Sequence, residues 1–184
     1  MAEFTIQPDP ALWHEVPGSS EEAQFVKERS EGLDEISERV ATTMAKLAIA
    51  ARSTSGDLTL LLQEPRSSLY AVATFSLYTD REPAETVPEA LNLVTGGQVG
   101  SWEPTVVPVE LGRVRGYRVS ELYPAEVGRS VGTDATALHL TQTTYVVSIA
   151  GKLGTVALSP ASSPAAGMVL ALVEPVISTW EVTA

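Results

Sequence analysis

The sequence predicts an α+β protein in which a mostly antiparallel β-sheet is packed by a long N-terminal amphipathic helix and two shorter helices. Three observations lead there. Helix-like and strand-like periodicities are segregated along the chain instead of alternating, which is the pattern of α+β folds. Residues 105–158 read as successive β-rich segments, a meander. The 184 residues, 44% hydrophobic and 19% charged, are enough to bury one continuous core, so residues 1–184 are expected to form a single domain.

Taken in order, Glu3 to Gln7 alternates polar and apolar and reads as a short strand, broken by Pro8-Asp9-Pro10. Trp13 and Val16 are expected to pack locally. After Pro17-Gly18, Ser19 and Glu22 have the spacing of a capping box, so a helix should begin there. Phe25, Leu33, Ile36, Val40, Met44, Leu47 and Ala51 recur at three- and four-residue steps, one face of a long helix that ends near Ser53 to Gly56. Gly32 inside it costs about 1 kcal/mol relative to Ala. One helix over residues 20–56, or two with a break near Ser30, both fit.

Strands follow at Leu58 to Gln63 and Leu69 to Tyr78, separated by the hairpin-like break Pro65-Arg66-Ser67-Ser68. Thr86 and Glu89 repeat the capping-box spacing, and Gly96-Gly97 supplies a stop, which predicts a short second helix. Thr105 to Leu111, Gly112 to Leu122, Thr136 to Ala150 and Lys152 to Leu158 form the meander, with a tight turn at Gly151. Ser163-Pro164 places a cap before a first-turn proline and opens a buried helix to about Val173, and Val176 to Val182 reads as a closing strand.

Composition excludes several function classes. With no cysteine, there can be no disulfide, thiolate nucleophile, zinc–thiolate site or iron–sulfur cluster. No window supplies the roughly 18 consecutive apolar residues of a membrane span, so no membrane association is expected. The start Met1-Ala2-Glu3-Phe4-Thr5-Ile6 lacks the regions of a secretion signal, and the cytoplasm is the expected compartment. A net charge of −11 repels polyanions and argues against nucleic acid. Residues 1–38 hold ten acidic groups against Lys27 and Arg29, so the N-terminal part owns most of that charge.

The order of parts carries a resemblance. An early Trp13 and Pro17 lead into the long helix. The small-residue strand Ala71-Val72-Ala73-Thr74-Phe75-Ser76-Leu77 and a short helix follow, then the strand Gly112-Arg113-Val114-Arg115. A strand ending at Ser159-Pro160 precedes a helix leading to Trp180. In this the chain resembles an uncharacterised actinobacterial protein family with a PsbP-like fold, some members of which resemble products encoded near type VII secretion clusters. The resemblance implies a curved antiparallel sheet flanked by helices and carries no catalytic residues; the N-terminal helix is longer than a typical PsbP-like domain supplies.

The chemistry-bearing residues are sparse. His14 and His139 are far apart, with no carboxylate at metal-ligand spacing, so neither a metal nor a cofactor is expected. His139, between leucines in an alternating strand, reads as a surface histidine. No Gly-x-Ser-x-Gly elbow, Walker pattern or dinucleotide fingerprint occurs. Glu21, Glu22, Glu28, Glu31, Asp34, Glu35 and Glu38 read as a solvated face favoured by the helix dipole.

Against this acidic background stand Arg113, Arg115 and Arg118, with Arg129 further on. On a strand, Arg113, Arg115 and Tyr117 share one face, and Val114 and Arg118 take the other. Arg113, Arg115 and Tyr117 are therefore the candidate binding residues, suited to a carboxylate-bearing protein partner. The alternatives are pairing with the chain's own acidic helix, or charge protection of an edge strand. The expected function is that of a non-catalytic binding or accessory protein. A self-associating module, for example a homodimer through the helix stripe or a sheet edge, is the alternative, and an enzyme of unrecognised type is the third reading.

Overall fold

The computed structural model describes residues 3–54, 57–64, 67–98, 102–124 and 139–183. It is a mixed α+β structure with an antiparallel sheet, as the segregated periodicities imply. The short strands are β1 (Glu3–Thr5) and β2 (Trp13–Glu15), and β3 (Leu58–Glu64) and β4 (Leu69–Tyr78) form a hairpin. The meander is β5 (Thr105–Leu111), β6 (Val114–Pro124), β7 (His139–Ile149) and β8 (Lys152–Leu158). Hairpin and meander join where β8 pairs with β4, giving the order β2-β3-β4-β8-β7-β6-β5, while the two-residue β9 (Ala161–Ser162) pairs with β7. The expected strand start at Thr136, and Arg129, lie outside the described residues.

Both faces of the sheet are covered. On one side lie α1 (Glu22–Ser30) and α2 (Glu35–Thr54), over Leu61 and Val72. Further along the same face α3 (Val87–Thr95) sits over Val119, Val146 and Leu153. On the other side α4 (Ser163–Ser178) packs Val169, Val173, Val176 and Ile177 against Leu60, Ala73, Phe75, Val147 and Val156. Double coverage explains why Thr59 to Gln63 of β3 are all buried rather than alternately exposed.

The structure corrects several local expectations. The Ser19/Glu22 capping box does not form: Ser19–Glu21 is a single 3-10 turn, and the Glu22 carboxylate is held by Arg52 at 2.5 Å instead. Arg52 also donates to the Pro17 carbonyl, tying the end of α2 to the start of α1. The break left open near Ser30 is present, with Gly32 at φ +78°. Asp34 restarts the helix, accepting from the amides of Ile36 and Ser37 at 3.0 and 3.1 Å; the Ser37 hydroxyl, first of these bonds, holds its carboxyl below the usual range.

The buried face of α2 is also not the expected one. Ala41, Ala45 and Ala48 are buried, whereas Ile36, Val40 and Leu47 are 69, 41 and 45% exposed. Alanines let the helix axis approach the sheet closely, and the large aliphatic side chains are left outside. At the other end, Val176–Ser178 is helix rather than strand: α4 runs through Pro175, and the closing strand is only β10 (Glu181–Thr183), paired with β1. An interior proline costs about 3 kcal/mol, which full burial of Val176 and Ile177, at about 1.5–3 kcal/mol each, offsets. Trp13 reaches the main core and seeds β2, rather than packing locally.

Beneath α1, His14 is half-buried, and burial first, then the charge of Arg29, pushes its pKa down to about 4 from 6.5. The unfolded chain therefore takes up a proton as pH falls through 6.5, where the folded chain does not. Stability from this group is full above 6.5, declines as pH drops from 6.5 to about 4, and is constant below. The loss is about 1–2 kcal/mol once solvent screening of a half-exposed group is allowed for. Urea denaturation across that window should show a His14→Gln variant losing less stability than the wild type; identical losses would contradict this account.

Candidate functional site

The β5–β6 hairpin turns on two residues, Gly112 and Arg113, because Leu111 pairs with Val114 and Gly112 adopts φ +62°. That register aligns Glu110 with Arg115, and Arg115 with Ser148 on β7. The next row on the same face is Pro108, Tyr117 and Val146. These rows lie on the α3 face: Val146 is buried beneath the helix, and Pro108, Glu110 and Arg115 are exposed beside it.

Residues 82–85 form a wall beside this floor. The Tyr117 hydroxyl donates to the Glu85 carbonyl at 2.8 Å, tying wall to floor. The wall is also fixed to α3 by the capping box foreseen at Thr86 and Glu89: the Glu89 carboxylate accepts from the amides of Glu85 and Thr86 at 2.8 and 3.3 Å. The result is a cleft of about 680 Å³ between Glu82–Glu85, Pro108–Glu110, Arg115–Tyr117, Ser148 and Gly151. A second cleft of about 390 Å³ lies on the other side of the wall, toward Glu89, Asn92 and Leu93.

Of the candidate binding residues, Arg115 and Tyr117 come together in the first cleft and Arg113 does not. Arg113 sits in the turn rather than on the strand, and its guanidinium lies 3.7 Å from Glu181 of β10. Arg115 faces Glu110 at 3.8 Å with both side chains at least 75% exposed, a pair worth close to nothing in stability. Neither arginine pairs with the acidic helix. Arg118 takes the opposite face, as alternation requires, and donates to Glu174 of α4 at 2.8 Å; the Tyr145 hydroxyl donates to the same carboxylate at 3.0 Å. Burial, and then the charge of Glu174, push the Tyr145 phenol well above its usual range.

The charge of the cleft is the feature that the sequence reading missed. Glu82, Glu85 and Glu110 line the cleft together with Arg115, and Glu89 lines the neighbouring one, so acidic residues outnumber the single arginine. Glu110 was within reach of inference, since a two-residue turn at Gly112-Arg113 sets it opposite Arg115. Glu82 and Glu85 belong to an irregular segment whose position is set only by tertiary packing.

No histidine lines either cleft. His139 is instead half-buried with its ring 5.4 Å from that of Trp102, edge to face. Among the described residues no three His, Asp or Glu side chains are grouped to hold a metal ion, and no helix is long and apolar enough to cross a membrane. No protein-family model matches the chain, and no curated protein matches it in sequence.

The free edges of the main sheet are blunt. β2 contributes three residues, and β5 carries Pro108, which has no amide to donate, together with the charge of Glu110.

Proposed function

We propose that the protein is a non-catalytic binding or accessory protein, and that the cleft between residues 82–85 and the β5–β6 hairpin is its contact surface for a short basic segment of another protein. The observation that carries this reading is the arrangement of Glu82, Glu85 and Glu110 around an open floor with a single arginine. The chain's net charge of −11 adds long-range attraction for a cation. Pro83, Pro108 and the ring of Tyr117 supply apolar contact for the stems of Lys or Arg side chains. A carboxylate-bearing partner, suggested by the arginines alone, would meet three carboxylates here. Arg115 instead moderates the negative field. The finer fold reading, a PsbP-like curved sheet, and the link to type VII secretion rest on the resemblance in the order of parts alone.

The test is fluorescence anisotropy with labelled Lys/Arg-rich and Asp/Glu-rich peptides of equal length. The basic peptide should bind at low salt and be released at high salt. Joint Glu82→Lys, Glu85→Lys and Glu110→Lys substitution should weaken it by about tenfold or more, and Arg115→Ala should tighten it. Preference for the acidic peptide, lost in Arg115→Ala, would reverse the assignment.

A further inference from the structure

The outer face of α2 carries a row that the fold does not use. Ile36, Val40, Thr43 and Leu47 follow one another at steps of four, three and four residues, the spacing of a coiled-coil seam, over about 17 Å of helix. Ile36, Val40 and Leu47 are exposed, and Thr43 has its hydroxyl committed to the Arg39 carbonyl at 2.8 Å, which leaves its methyl group for the seam. On the other side of the helix Ala41, Ala45 and Ala48 are buried, Ala45 and Ala48 in the cluster with Leu61 and Val72 of the sheet, so the row is not a poorly packed part of the core.

Charges on the two flanks of the seam differ in kind. One flank presents Arg39 and Lys46, the positions next to the seam on that side, with Glu35 further from it; the other holds Ser37, Met44 and Ala51, the last two partly buried against the core. Arg39 and Lys46 are exposed and make no ion pair among the described residues. We propose that α2 docks an amphipathic helix of another protein whose apolar seam is bordered by Asp or Glu, with these acids beside Arg39 and Lys46.

A second copy of this chain fits less well. An antiparallel copy sets Arg39 of each chain against Lys46 of the other, twice over, because like flanks meet in antiparallel pairs. A parallel copy sets them beside Met44 and Ala51, with no charge gained. Each chain also carries the same net charge of −11. The blunt sheet edges also disfavour self-association by strand pairing.

The experiment uses the full chain and two designed helical peptides of about three heptads, identical in their Leu seam but flanked by Glu in one and by Lys in the other. The Glu-flanked peptide should bind and the Lys-flanked one should bind at least about tenfold more weakly. Arg39→Glu with Lys46→Glu should invert that preference. Val40→Glu, at a position already exposed, should abolish binding of both, with the far-ultraviolet circular dichroism unchanged. The cleft variant carrying Lys at positions 82, 85 and 110 should bind the Glu-flanked peptide as the wild type does, which separates this surface from the cleft. Equal binding of both peptides, no binding of either, or a wild-type dimer in sedimentation that Val40→Glu dissociates would each overturn the proposal, the last in favour of a second copy.

Discussion

Replacing Trp180 by alanine is expected to destabilise the protein by about 3–5 kcal/mol and to lower its melting midpoint by about 10 °C. The indole is 1% exposed and stands where three parts of the fold meet. Its ring centroid lies 5.3 Å from those of both Phe4 on β1 and Phe75 on β4. It follows the end of α4, its amide donating to the Ile177 carbonyl at 3.0 Å. Gly154 of β8 lies beneath it, so close that a Cβ there would be 3.0 Å from the indole edge. Removing the ring opens a cavity that neither the sheet nor the β1–β10 pair can collapse into. Trp180→Phe keeps an aromatic contact for Phe4 and Phe75 and removes an indole N–H with no partner among the described residues, so it should cost well under half as much. Urea denaturation of the two variants would contradict this account if their losses were equal.

Gly116→Ala should cost about 3 kcal/mol or more, the upper end for overpacking. A Cβ at this position would overlap the Val146 carbonyl oxygen and stand 2.7 Å from the Val147 Cα, both backbone atoms of the neighbouring strand. Backbone in the middle of a sheet cannot give way as a side-chain tip can, so β6 and β7 would have to separate. Because Gly116 lies between Arg115 and Tyr117, the same change should disorder the cleft floor and abolish peptide binding. Gly167→Ala is the control: it sits in α4 with open space around it and should stabilise by up to about 1 kcal/mol. A Gly116→Ala protein as stable as the wild type would show that β6 and β7 are not paired in this register.

The strands of the hairpin and meander were legible because their β-branched runs and turn residues agree with their tertiary role; the turn at Gly151, flanked by Ala150 at φ +50°, shows this. The α3 capping box was legible for the same reason: the signal is local and so is the bond. Ser19 and Glu22 carried the same local signal, and there a tertiary ion pair to Arg52 won. The face of α2 was misassigned because burial was inferred from side-chain size, whereas close approach to β3 and β4 selects alanine. Pro175 and the β-branched residues after it suggested a strand, yet Val169, Val173, Val176, Ile177 and Trp180 keep a helical period straight through the proline. At the candidate site, Arg115 and Tyr117 could be read from strand alternation. The surrounding carboxylates could not, since contacts between 82–85 and the β5–β6 floor depend on how α3 lies across the sheet.

The most direct test of the cleft as a contact surface is a nuclear magnetic resonance titration of the labelled full chain with the Lys/Arg-rich peptide. Amide shifts concentrated at residues 82–85, 108–110, 115–117 and 148 are the predicted result. Shifts that avoid these residues, or that spread evenly over the acidic N-terminal helices, would contradict it.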